Sequence, residues 1–335
     1  MKGLTGLGVS ASDETLESWL RHQLDDVERG LSSAVSSAGD DAEFLTEAAR
    51  HLLDAGGKRF RPLLVLLSSL FGDPDAAGVV PAALVVELTH VATLYHDDVM
   101  DEAALRRGAP SANARFDNTV AILTGDYLFA QASAIVADLG PDAVRIQART
   151  FARLVRGQIR ETRGPLPGQD PLDHYLSVVA DKTGSLIAAS AHLGALTAGC
   201  AEPTQVALTA FGERIGEAFQ LSDDILDVTS DSLEWGKTPG TDLRENVPTL
   251  PVLLATRSFG PDDARLSELL DGDLSDEQRH SEALSLLRAH PAIEQSRAYV
   301  AARADQARAL LDQLPAGVPR NALADLCALV VTRSR

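Results

Sequence analysis

The chain has 335 residues, 45% hydrophobic and only 4% aromatic, with a formal net charge of −18. That length and apolar content suit a large packed core rather than a disordered chain, and the acidic excess argues against a nucleic-acid partner. Two cysteines, Cys200 and Cys327, are too few for a disulfide framework and lack metal spacing.

The N-terminal "MKGLTGLGVSASDE" has no apolar signal-peptide core. No stretch reads as the roughly 20 apolar residues of a membrane span, although binding at a membrane surface stays open. A reduced, cytoplasmic protein is the expectation. Residues 1–12 read as a flexible Gly/Ser tail, and 13–335 as one all-helical domain without a defensible boundary.

From there helical signals dominate. Leu16, Trp19, Leu20, Leu24, Val27 and Leu31 recur at helical spacing behind Asp13, a fair N-cap. "RPLLVLLSSLFG" reads as a helix with Pro62 in its first turn and Gly72 past its end. Pro81 to about Ala104 is apolar nearly all round, the mark of an interior helix. Further helices are expected up to Gly140, from Asp142 to about Arg163, and through "LDHYLSVVADKTGSLIAASAHLGALTAG", where Gly184 and Gly194 suggest close packing. Another helix carries "EPTQVALTAFGERIGEAFQLSDDILDVTSD", and "WGKTPGTDLRENVPTLP" is a long loop. The last eighty residues are amphipathic helices broken at "FGPDD", "DGDLSDEQ" and "PAGVPR". The fold class is all-α, a large helical bundle around a central cavity.

Two segments resist that plain reading. "LYHDDVMDEA" closes one apolar helix with Asp97, Asp98 and Asp101, and "LSDDILDVTS" closes another with Asp223, Asp224 and Asp227. Residues four apart share a helix face, where like charges repel and Asp is a poor interior residue. One such cluster is compatible with a solvated helix end. Two, each at the mouth of a buried helix, suggest carboxylates facing across a cavity and neutralised by cations. All-oxygen donors select hard ions, and Mg²⁺ takes one or two carboxylates together with substrate phosphates.

Basic residues stand out against the acidic background. "GGKRFRP" sets Lys58, Arg59 and Arg61 at a helix start, where cations oppose the dipole unless an anion sits among them. "LRRGAP" adds Arg106 and Arg107, "DKTG" adds Lys182 and Thr183, and "WGKT" adds Lys237. Together they suggest two anionic sites, one reached through metal and one gripped directly. His90, Thr93, Asp97 and Asp101 share one helix face, as do Gln220, Asp223 or Asp224, and Asp227.

In order, "GGKRFRP", "HDDVMDEAALRRGAPSAN", "GDYLFAQAS", "DKTGSL", "FQLSDDILD" and "GKTPGTDLRE" span roughly residues 50 to 250. This ordered set resembles the trans-isoprenyl diphosphate synthases (polyprenyl synthetases), most closely their long-chain bacterial branch. The resemblance implies an isoprenoid synthase fold, a homodimer, and magnesium-dependent ionisation, condensation and elimination, with roughly three Mg²⁺ ions per site. It implies that Asp97, Asp101 and Asp223 ligate Mg²⁺ on an allylic diphosphate, with Asp98, Asp224 and Asp227 assisting. Lys58, Arg61, His90 and Arg107 would hold isopentenyl diphosphate, and Arg106, Lys182 and Lys237 the allylic diphosphate. Thr183 and Gln220 would lie beside the carbocation. One departure stands in the late loop: the family often reads Glu-Gly-Lys where this chain has Glu245, Asn246 and Val247.

Short-chain members plug the product tunnel with aromatics just before the first Asp cluster. Here those positions hold Ala92 and Thr93, with Thr89 about 12 Å below Asp97 at about 1.5 Å per residue. The expected product is a long polyprenyl diphosphate of the kind used for quinone side chains, its floor set by Phe129 or a partner subunit. The alternatives are a geranylgeranyl diphosphate synthase, a class I terpene cyclase, and a non-catalytic synthase subunit. The intact basic loop argues against the cyclase, and the six intact aspartates against the subunit.

Overall fold

The computed structural model describes residues 14–36, 42–230 and 239–333. The tail at 1–12, the Asp13 cap and Lys237 lie outside the described residues. In chain order the helices are α1 (Glu14–Ala34), α2 (Ala42–Asp54), α3 (Phe60–Ser69) and α4 (Val79–Met100). A two-residue strand pair follows, β1 (Leu105–Arg106) and β2 (Ala109–Pro110). Then come α5 (Ala112–Phe116), α6 (Asn118–Asp138), α7 (Pro141–Arg163) and α8 (Pro171–Val179), a π turn at Ala180–Gly184, α9 (Ser185–Thr197) and α10 (Glu202–Thr229). The remainder is α11 (Thr241–Arg244), α12 (Leu250–Ser258), α13 (Ala264–Leu270), α14 (Glu277–Ala289), α15 (Ala292–Leu310) and α16 (Val318–Arg333). The all-α expectation holds.

Two compact units emerge from the described residues. The first comprises residues up to 152 with 186–212 and 310–326; the second comprises 153–185, 213–309 and 327 onward. In the first, α4 packs against α1, α3 and α6. Leu63, Leu64, Leu66 and Leu67 of α3, Leu88 of α4 and Leu128 of α6 are fully buried. Each such side chain contributes up to about 1.5–3 kcal/mol of hydrophobic stabilisation. Gly194 meets the expectation of close packing, because a Cβ there would stand 2.2 Å from the Val65 carbonyl oxygen. Glu87, buried on α4, is satisfied by Arg59, whose Nη1 donates to it at 2.9 Å. In the second unit Val228, Leu243, Val252, Leu266, Leu269, Leu284 and Leu287 form the core.

Two expectations need correction. The apolar helix stops at Met100 rather than near Ala104: the Asp101 N–H closes the last turn onto the Asp97 carbonyl at 2.8 Å, and Glu102 turns left-handed at φ 47°. The single helix expected through Asp181–Thr183 is two helices joined by the π turn. The "RRGAP" segment forms a hairpin, with Arg107 and Gly108 both at positive φ in the manner of a two-residue hairpin turn. Helices α4 and α6 reach the length and apolar content of a membrane span, a test that core helices also pass, so the expectation of no membrane span is not overturned; α4 is 67% buried within the protein and α6 33%.

Candidate active site

The first acidic cluster divides by position. Asp97 lies on the last turn of α4 and is half-buried, whereas Asp101 caps the helix and is exposed. Asp98 is wholly buried. It accepts Arg106 Nε at 2.6 Å and the Ala112 N–H at 3.3 Å, so it pins the β1–β2 hairpin to α4. Asp98 and Arg106, each expected to face substrate, face each other.

The basic residues of this unit gather around His90. Its imidazole is held well below its usual range, first by burial and then by the charges of Arg61, Arg107, Arg106 and Arg59. A neutral ring among cations can donate to an anion without adding to the crowding of charge. Gly57 lies beneath this group, since a Cβ there would meet Arg107 Nη1 and Nη2 and Arg59 Nη1, each at 3.1 Å. Arg107 is anchored by donating to the Leu52 carbonyl at 3.0 Å, and burial lowers its pKa. Lys58 is exposed and Arg61 half-buried at the start of α3. Arg59 is spoken for by Glu28 at 2.6 Å and Glu87 at 2.9 Å. Burial opposes its charge, but these two partners raise its pKa overall. Arg59 therefore builds the unit rather than the anion site.

In the second unit each aspartate of the late cluster has partners. Asp223 pairs with Arg333, whose guanidinium lies over the Phe219 ring 4.5 Å from its centroid. Asp227 accepts the N–H groups of Thr241 and Asp242, each at 3.2 Å, and so caps the start of α11. Asp224 is buried and accepts the Tyr175 hydroxyl, together with Gln220 Nε2 at 2.9 Å. Thr183 Oγ1 in turn donates to Gln220 Oε1 at 2.9 Å. This relay orients the Gln220 amide, its N–H toward Asp224 and its carbonyl toward Thr183. Burial, with the Asp242 charge nearby, pushes the Asp224 carboxyl up to about 8, against the pull of the Tyr175 and Gln220 donors. Lys182, on the π turn, is paired with Glu161 of α7.

The polyprenyl synthetase family model matches residues 42–287. The nonaprenyl diphosphate synthase of Mycobacterium tuberculosis is 50% identical over 327 residues, covering 97% of both chains. Among solved structures, the geranylgeranyl pyrophosphate synthase of Corynebacterium glutamicum, complexed with calcium and isoprenyl diphosphate, shares 45% identity at a TM-score of 0.86, covering 96% of this chain and 98% of that one. The decaprenyl diphosphate synthase of Rhodobacter capsulatus shares 32% at a TM-score of 0.86, covering 96% and 99%.

The chain belongs to the polyprenyl synthetase family. It is a prenyl-transferring enzyme with the all-α isoprenoid synthase fold. In this family member the tunnel candidates on α4 are inward-facing: Thr89 is 2% exposed, Ala92 is fully buried, and Thr93 is half-buried with its hydroxyl donating to the His90 carbonyl at 2.7 Å. Thr89 Oγ1 is buried without a hydrogen-bond partner among the described residues. Phe129 lies on α6 against Phe151, ring centroids 4.3 Å apart, and near His96 at 5.7 Å. Asn246 takes φ 56° after α11, a left-handed position that Asn tolerates better than most residues other than Gly, which accounts for Asn in place of Gly; nothing in the structure explains Val247 in place of Lys.

Among the described residues no three His, Cys, Asp or Glu side chains are already gathered around an ion position. The donor chemistry still fits magnesium, which needs few carboxylates when phosphate oxygens complete its shell. Tyr175, Arg333, Glu161 and Asp181 belong to the neighbourhood of the second cluster and were not singled out from sequence. Their partners lie 21 to 110 residues away along the chain, and no local pattern signals them.

Proposed function

We propose that this enzyme condenses isopentenyl diphosphate with an allylic diphosphate to build a long, all-trans polyprenyl diphosphate, with Mg²⁺ as its cofactor. One observation carries the reading. Helix α4 bears an acidic end at Asp97 and Asp101 and, about 10 Å back along the same face, a neutral His90 among arginines. This spacing supports a metal-dependent diphosphate site and a metal-free one on the same helix face, about 10 Å apart.

Asp97 and Asp101 of the first cluster and Asp223 of the second would be magnesium ligands, and the bound ion would neutralise the leaving diphosphate. Lys182 and Lys237 hold that diphosphate by charge; Arg106 does so only as far as its tie to Asp98 allows. Lys58, Arg61, His90 and Arg107 hold isopentenyl diphosphate with its alkene toward the allylic carbon. Thr183 and Gln220 present oxygen atoms beside the cation. The apolar side chains of α4 keep water from capturing it. The condensed product loses a proton to the departed diphosphate, and no side chain acts as nucleophile.

Small residues at Ala92 and Thr93, with Thr89 beneath, support a product beyond farnesyl, as does the 50% identity to a nonaprenyl synthase. The geranylgeranyl alternative has less support. A homodimer is supported by α6, which is apolar yet only one-third buried, with Ile122 at 43% and Leu123 at 61% exposure. Free buried thiols at Cys200 and Cys327 suit a reducing compartment.

The test is incubation with isopentenyl diphosphate, allylic primers of graded length and Mg²⁺, followed by sizing of the products. Long polyprenyl diphosphates are expected. No condensation would remove the reading, and a product ending at geranylgeranyl would select the alternative. Ala92→Phe or Thr93→Phe should shorten the product; an unchanged length would place the tunnel elsewhere.

A further inference from the structure

The π turn at Ala180–Gly184 carries Lys182 and Thr183, and the reading above gives both a direct part in the reaction. A five-residue turn of this kind is rare and is often found at functional positions, where surrounding contacts must hold it. Here the contacts come from α7. Arg153 Nε donates to Asp181 Oδ1 at 3.0 Å, and Arg160 Nη1 donates to Asp181 Oδ2 at 2.8 Å, so both carboxylate oxygens are taken. Arg153 Nη2 also reaches the Ala180 carbonyl at 3.3 Å, and the same guanidinium pairs with Glu213 of α10. Asp181 is only 14% exposed. Between the two arginines α7 places Gly157, where a Cβ would stand 2.7 Å from the Lys182 backbone nitrogen. The helix therefore lies against the turn at the residue that matters.

An ordinary exposed ion pair contributes little and orients nothing. This arrangement differs in that one guanidinium holds the side chain and backbone of consecutive residues, Asp181 and Ala180. The next two residues then leave the turn in directions set by the clasp, Lys182 toward Glu161 and Thr183 toward Gln220.

We propose that Arg153 and Arg160 are positioning residues: by clasping Asp181 from α7 they hold the π turn so that Lys182 and Thr183 meet the allylic substrate in fixed directions. This rests on the proposed prenyl transfer for its kinetic consequence, but not for the clasp itself.

The experiment compares the full chain with Asp181→Asn, Arg160→Gln and the double variant, by three measurements. Backbone amide exchange over residues 180–185 should rise while the melting temperature barely moves. Turnover should fall tenfold to a hundredfold, the scale of a misplacement of roughly 1 Å, with KM for isopentenyl diphosphate unchanged. The double variant should be no worse than Asp181→Asn, because both substitutions open the same clasp. Gly157→Ala, which presses on the turn from α7, should reproduce the kinetic signature. Unchanged exchange, unchanged turnover, losses that multiply in the double variant, or a fall in melting temperature with both KM values shifting together would each overturn the proposal. An inactive wild type would instead overturn the proposed reaction, and the exchange comparison would still decide the clasp.

Discussion

The two D-D-x-x-D clusters share a spacing and differ in almost everything else. In both, the second aspartate is buried, Asp98 completely and Asp224 to 4% exposure. Asp98 meets a cation, Arg106. Asp224 meets neutral donors, Tyr175 and Gln220, and its carboxyl is pushed up to about 8 by burial and the Asp242 charge. The third aspartate diverges as well. Asp101 is the exposed cap of α4, while Asp227 lies within α10 and receives the first N–H groups of α11. A motif sets which carboxylates share a face. Groups brought from elsewhere in the chain decide whether each one binds ligand, holds a hairpin or caps a helix.

Substitutions along the clusters can break that contrast. The largest effect is expected for Asp97→Ala and Asp223→Ala, each lowering turnover by orders of magnitude with the far-ultraviolet circular dichroism unchanged. Near-normal turnover in either would remove it from the metal set. Next comes Asp98→Ala, which strands Arg106 and should destabilise the metal-free protein by about 3–5 kcal/mol in chemical denaturation. Asp101→Ala in the same motif should stay within about 0.5 kcal/mol, and equal losses would erase the distinction between them. Asp227→Ala removes a helix cap and should cost about 0.5–2 kcal/mol by the same measurement.

A pH-dependent effect concerns His90. Its folded pKa lies well below 6.5, so the unfolded chain takes up a proton that the folded protein refuses. Stability on this account is lost as pH falls through about 6.5, with a slope of at most about 1.4 kcal/mol per pH unit. His90→Asn should flatten the stability curve across that range, and an unchanged slope would mean that His90 is not held neutral.

Much of this site was legible in sequence because helices are periodic. His90, Thr93, Asp97 and Asp101 could be set on one face from spacing alone, and Gly194 marked a close approach that the structure places against the Val65 carbonyl. The end of α4 was misjudged because Asp101 and Glu102 continue a helical pattern on paper, while the backbone turns left-handed at Glu102. Arg59 read as an anion ligand because its partners, Glu28 and Glu87, stand 31 and 28 residues away. The π turn left no trace, since one extra residue in a helix changes neither composition nor apolar content.

By itself the sequence determined the helical class, the apolar character of α4 and the carboxylate and cationic residues available for diphosphate chemistry, because propensity, periodicity and side-chain chemistry are local properties. Tertiary structure alone decided which of those charges are consumed in folding: Asp98 by Arg106, Arg59 by two glutamates, Asp181 by two arginines. The reason is that a buried charge must be matched, and its match is chosen by proximity in space, which spacing along the chain does not encode.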